Sequence, residues 1–343
     1  MRRLLITAVL CYGMSYRLMA QGIDLPAHLA QFSDFKKLDL RRLVAGEILS
    51  ERGALMDFPN GISAQICFVV NTAPAETAHR LRTWNPSRYE ALKVYAFQEI
   101  HTACVAADFA TLTLNPKQRS LKWLADKTLA TTASKSELNL TRDEAQTLAA
   151  CARENSGALE IGACWARLLL NRATAFQRQG LAGALPYEVG GQAVSPAEQI
   201  HAMLLAEIAL THEFAPLLKP AGLLGGNSVT NQTPFYYWSL FDADHHGTVS
   251  LGARYLMPVG ERYQLLDEEY YVSGNYYTSA TLYEVWPLRI GDTTGSLVWR
   301  GDFFAAPMLA FTKGTERIAY GALMIQEIKK EVRCFQEATK VNH

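Results

Sequence analysis

From about 235 to 304 the chain alternates aromatic and aliphatic residues with polar ones, and a long amphipathic stretch, about 315–335, follows. No other segment restricts the fold as much. A period of two is that of a pleated strand, and strands carrying this many aromatics need a cover. The amphipathic stretch supplies a helix to cover them. Within 248–257, Val249, Leu251, Ala253, Tyr255 and Met257 share one face, and Ser250 and Arg254 lie on the other. Runs at 265–273, 276–286 and 296–304 continue the pattern, with turns expected at 242–247, 274–275 and 291–295. In the final helix, Ile318, Ala322, Ile325, Ile328, Val332 and Phe335 form one apolar stripe. The expectation is a curved antiparallel sheet closed by a C-terminal helix, a container for an apolar molecule.

The first part of the chain supplies matching elements. A short helix is expected over 28–38, then strands at 44–51 and 63–70 with Asn60-Gly61 as the turn between them. Pro74 opens a helix to about 84, since proline suits a first helical turn. Strands at 92–100 and 108–114 follow. The stretch 118–218 reads as almost purely helical. Thr141 with Glu144, and Ser195 with Glu198, have capping-box spacing. Ile161, Cys164, Trp165, Leu168, Leu169 and Ala173 recur at helical intervals, and the Gly222 to Gly226 region ends the stretch. The fold class is therefore α+β: a sheet domain in two parts, 27–117 and 235–338, around a large all-helical insertion, 118–225.

Composition narrows the functional classes. With 33 basic and 33 acidic residues the chain has no net charge, which argues against a nucleic-acid surface. Lys329-Lys330 with Arg333 reads as a solvated helix face. Residues 1–20 have the form of an export signal: Arg2-Arg3, an apolar run over 4–11, and Leu18-Met19-Ala20 as a cleavage site. The expected location is secreted or periplasmic. Five cysteines remain after cleavage, without CxxC spacing, so neither a zinc pattern nor a dense disulfide framework is expected. They read as small buried hydrophobes, and Cys151 with Cys164 is the nearest pair for a single bridge.

The strand–helix–strands order with a long C-terminal helix resembles the helix-grip fold of the START-like (polyketide cyclase and lipid-transfer) superfamily. The resemblance is carried by 44–114 and 235–335 and leaves the helical middle as an insertion. It implies a curved sheet wrapped around the C-terminal helix, with an apolar ligand held between them. It brings no catalytic signature. The Tyr236-Tyr237-Trp238-Ser239 run is also similar to segments of exported bacterial proteins, a likeness that carries no function.

Candidate ligand-binding residues follow from strand parity. Trp238, Tyr255, Tyr270, Tyr283 and Trp299 each combine a large apolar body with a polar tip, which suits an amphipathic ligand. Packing against the helical insertion is the alternative. Glu269, from the Asp267-Glu268-Glu269 triplet, is the candidate anchor for a ligand head group, with Arg300 and Arg254 as counter-charges. No cofactor or metal is called for. Asp242 to Gly247 holds two aspartates and two histidines but sits where a hairpin needs a polar turn. His212-Glu213 is followed by Pro216 where a zinc protease needs its second histidine, and no GxSxG, P-loop or GxGxxG motif is present. The expected function is carriage of a lipid or other large apolar molecule, with the helical insertion as a lid. An enzyme using the same cavity (a cyclase or hydrolase) and an interaction protein docking through the insertion are the alternatives. Transient membrane contact and oligomeric state stay open.

Overall fold

In a computed structural model of the chain, residues 24–53, 58–154, 157–189, 191–225 and 233–340 are described, and the expected export signal over 1–20 lies outside them. The first part runs α1 (Leu25–Phe32), α2 (Leu40–Val44), β1 (Leu49–Arg52), β2 (Gly61–Val70), α3 (Pro74–Arg82) and β3 (Val94–Ile100). The helical part follows as α4 (Arg119–Ala130), α5 (Arg142–Glu154) and α6 (Ala158–Gln179). A small hairpin of β4 (Tyr187–Val189) and β5 (Gln192–Val194) then precedes α7 (Pro196–Leu205), α8 (Ile208–Glu213) and α9 (Ala215–Leu218). The last part is β6 (Phe235–Ala243), β7 (His246–Val259), β8 (Arg262–Val272), β9 (Thr278–Ile290), β10 (Thr293–Ala305) and α10 (Thr315–Thr339).

The architecture is α+β. Eight strands form one open antiparallel sheet in the order β1-β2-β10-β9-β8-β7-β6-β3. The first long strand therefore lies beside the last, and the two ends of the chain build one sheet. β2 reads Gly-Ile-Ser-Ala-Gln-Ile-Cys-Phe-Val-Val and is buried along almost its whole length. Such a continuous run is what a strand covered on both faces requires.

Two apolar layers do the covering. On one face α3 and α10 pack on Ile66, Phe68, Leu265, Val285 and Val298, with Ile328, Val332 and Phe335 as the helix contribution. On the other face α1, α2 and the helices α4 to α9 share a larger core with Trp238, Leu251, Leu266, Tyr270, Leu282 and Trp299. The helical insertion is thus continuous in its core with the sheet. Inside it, Thr141 and Glu144 exchange the two hydrogen bonds of a capping box, at 2.8 and 3.1 Å. A disulfide joins Cys151 of α5 to Cys164 of α6.

Several sequence expectations shift. No strand forms at 108–114; instead Ala106–Phe109 is a 3-10 turn. The Asp108 carboxylate accepts the backbone N–H groups of Val105 and His101, and such local bonding competes with a ladder. The expected 28–38 helix stops at Phe32, where the Ser33 hydroxyl donates back to the Leu29 carbonyl. The start of the expected 44–51 strand is a helical turn, α2, capped by Asp39. The apolar stripe of α10 is buried only from Ile328 onward, since Ile318 is 51% exposed and Ala322 also faces water. Asp242 to His246 is the tight turn of the β6–β7 hairpin, with Asp244 and His245 both at positive φ.

Candidate functional site: a charged band beneath the C-terminal helix

Strand alternation splits the acidic triplet of β8. Asp267 and Glu269 point to the face of α3 and α10, and Glu268 points to the helical layer. Beside Asp267, directly across the β7–β8 ladder, stands Arg254. Its Nε donates to Asp267 at 2.7 Å, and the Tyr237 hydroxyl donates to the same carboxylate at 2.8 Å. Arg254 Nη1 also donates to the carbonyls of Arg82 and Trp84 at the end of α3, satisfying groups a helix terminus leaves open. Burial works against its charge, but Asp267 together with Tyr237 and Tyr283 outweighs that and holds the guanidinium above its ordinary value.

A second cation site lies on β10. Arg300 forks onto Asp302, two residues along the same face, at 2.9 and 2.8 Å. Its Nη1 reaches Glu331 of α10 at 2.7 Å, so this arginine ties the C-terminal helix to the sheet. Burial raises the Asp302 carboxyl, and Arg300 offsets part of that. Thr281 of β9 donates to Asp302 at 3.0 Å.

Glu269 differs from both. Its carboxylate accepts the hydroxyls of Tyr276 at 2.5 Å and Ser279 at 2.7 Å. Among the described residues no cation pairs with it. Burial raises its pKa and the hydroxyls only partly reverse this. Beside it Val272, Tyr276, Phe304, Tyr320 and Phe241 form a small apolar cluster, and Phe304, Tyr320 and Phe241 remain partly exposed. The face thus joins a hydroxyl-supported carboxylate to an aromatic wall. It can accept a hydrogen-bond donor or a cation while burying an apolar body, and a carboxyl of raised pKa can also move a proton.

The band is closed toward the second half of α10. There a void of about 10 Å³ lies among Tyr283, Arg300, Glu331 and Phe335, room for at most one water. A larger hollow of about 440 Å³ sits between α2, the end of β2 and the last turns of α10, but its charged lining of Arg333, Glu337 and Lys340 is exposed to solvent.

The seven residues expected to bind ligand divide between the faces. Glu269, Tyr283 and Arg300 lie on the α10 side, with Tyr283 under the Arg300 guanidinium. Trp238, Tyr255, Tyr270 and Trp299 lie on the other face and pack into the core shared with the helical layer. Trp238 donates to the Asp108 carbonyl at 2.8 Å, and Tyr270 stacks on Phe176 of α6 at 3.6 Å. Trp299 sits between Phe32 and Phe214 and donates to Gln65. Neither Arg254 nor Arg300 pairs with Glu269, because each is taken by a nearer aspartate.

Sequence reasoning passed over Asp302, Tyr276, Tyr237 and Glu331. The i, i+2 spacing of Arg300 and Asp302 on one strand face was the available signal. Glu268 was also passed over as a site residue. It is wholly buried between Ala253 and Ala280, and burial pushes its pKa up to about 8. The Tyr255 hydroxyl is near enough to lower that somewhat, yet among the described residues neither carboxylate oxygen finds a hydrogen bond of good geometry.

Comparison of the chain with family models, curated proteins and solved structures found no match.

Proposed function

We propose that the protein is an exported START-like binding protein that carries an amphipathic molecule between its sheet and C-terminal helix. The observation that carries this reading is Glu269: a carboxylate that accepts from hydroxyls and, among the described residues, has no cation, beside partly exposed aromatic rings. A ligand hydroxyl or amine would take the place of solvent on Glu269, and its apolar body would lie along Tyr276, Phe304 and Tyr320. Burial of that body contributes at roughly 25 cal/mol per Å² before ordering costs. The strand order supports the helix-grip reading. β2 lies against β10, and the helices after both strands, α3 and α10, cover the same face.

Entry beside the band requires movement, because the space among Tyr283, Arg300, Glu331 and Phe335 under α10 holds at most one water. The exposed first turns of α10 are the part that would lift, with Arg300–Glu331 as the latch farther along. Export is supported by the disulfide between α5 and α6, since such bonds persist in oxidising compartments.

A second reading, hydrolysis or cyclisation of a hydrophobic substrate, draws on the same carboxylates. Asp267 and Glu269 stand on one face two residues apart, and the raised pKa of Glu269 suits a general acid. Organic extraction of the purified protein, with mass spectrometry of the extract, tests the binding reading. Recovery of one amphipathic species in stoichiometric amount is the expected result; an empty extract from protein that also ignores added lipids and sterols would exclude it.

A further inference from the structure

On the opposite face of the sheet from the charged band, three elements bring acceptor atoms together. His28 projects from α1, Glu213 from the end of α8 and Glu284 from β9. Their ligand atoms all lie within 4.8 Å of one another. Glu284 is wholly buried, and the other two are largely so. His28 Nε2 and Glu213 Oε1 face each other at 3.3 Å.

What joins them is Arg262, the first residue of β8. Its Nη1 contacts Glu284 at 2.9 Å and His28 Nε2 at 2.6 Å, and its Nη2 contacts Glu213 at 2.7 Å. A guanidinium can only donate, so His28 Nε2 must present its lone pair to the centre of the cluster. That is the tautomer a metal ion uses.

The cluster remains short of positive charge and of donors. Two carboxylates share one guanidinium. Glu284 Oε2 and Gln264 Oε1, both wholly buried, have no hydrogen-bond partner among the described residues. Arg262 is 18% exposed and follows the β7–β8 turn at Gly260-Glu261, so its side chain has a route to solvent.

We propose that His28, Glu213 and Glu284 form a binding site for a divalent transition-metal ion, which takes the central position when Arg262 swings outward. One imidazole and two carboxylates suit zinc, manganese or ferrous iron. Ligands on a tetrahedral ion with bonds of about 2.0–2.1 Å stand roughly 3.4 Å apart, so the cluster needs only a small contraction. The bound ion would pin α1 and α8 to the sheet.

Isothermal titration of the chelator-stripped full chain with zinc chloride, and separately manganese chloride, tests this. One ion per chain should bind to the wild type. Arg262→Met, which removes the competing cation, should bind about tenfold tighter or more, and its melting temperature should rise on adding the metal. Glu284→Gln and His28→Gln should each bind about tenfold more weakly or worse. His28→Gln keeps the test open should Glu284→Gln fail to fold. Absence of saturable binding by both wild type and Arg262→Met would overturn the proposal. So would zinc held as tightly by His28→Gln and Glu284→Gln as by wild type, a result that exposed His245 and neighbouring His246 would explain.

Discussion

Tyr237 lies across Gly252: a Cβ at that glycine would stand 2.2 Å from the ring's Cζ. The absence of a side chain on β7 is what lets the ring lie flat, with its hydroxyl reaching Asp267 on β8 at 2.8 Å. The Arg254 guanidinium sits over the same ring at 4.7 Å. Gly252 therefore sets the geometry of the charged band without contributing a side chain to it.

Gly252→Ala should force the Tyr237 ring off the sheet and break its bond to Asp267. The expected cost is about 1–3 kcal/mol, as for other overpacked cores. Denaturant unfolding measures it. An unchanged midpoint with unchanged near-ultraviolet tyrosine signal would mean the ring is not confined as described.

Arg254→Met leaves Asp267 without its cation and leaves the carbonyls of Arg82 and Trp84 without a donor. Breaking one partner of a buried pair costs about 3–5 kcal/mol. A loss under 1 kcal/mol in equilibrium unfolding would show that the pair is effectively solvated.

Glu268 should make stability fall as pH rises. Its folded pKa of about 8 lies above the ordinary carboxylate value, so the folded state holds the proton more tightly than the unfolded state. The stabilising effect is full below the unfolded pKa and is lost as pH rises toward 8, at up to about 1.4 kcal/mol per pH unit. Glu284, raised to a similar value, acts in the same direction. Glu268→Gln should flatten the wild-type slope between pH 5 and 8 and be the more stable protein at pH 8. Parallel curves for the two proteins would show that Glu268 ionises normally in the fold.

The Cys151–Cys164 bridge closes a short loop between α5 and α6, with a sequence separation of 13. A loop of that size is worth about 3 kcal/mol in the unfolded chain. Cys151→Ser with Cys164→Ser should lower the unfolding midpoint accordingly, and dithiothreitol should lower that of wild type but not of the double variant. Equal sensitivity of both proteins to the reductant would place the effect elsewhere.

Much of the frame was legible because periodicity states burial directly. Val249 to Met257 share one face as the alternation requires, and the buried face of α6 is the one marked by Ile161, Trp165, Leu168 and Ala173. What could not be read was register. Arg254 faces Asp267 rather than Glu269 because of the way β7 and β8 align, which a single sequence does not state. A bulge compounds this. Gly252 opposes Glu269 and Leu251 opposes Tyr271, so Tyr270 is an extra residue. Both tyrosines consequently reach the helical layer, where strict alternation would have separated them. The stripe of α10 misled in another way. Helical spacing marks a face that can be buried, yet the first turns of this helix find little to bury it against, leaving Ile318 and Ala322 in water.

The central claim is that Glu269 anchors an amphipathic ligand beneath the C-terminal helix. Native mass spectrometry of wild type and Glu269→Gln, purified identically and then incubated with the species extracted from wild type, tests it most directly. The account predicts one bound molecule per wild-type chain and loss of most of that occupancy in Glu269→Gln, with both proteins equally folded by circular dichroism. Equal occupancy in the two, or none in wild type, would contradict it.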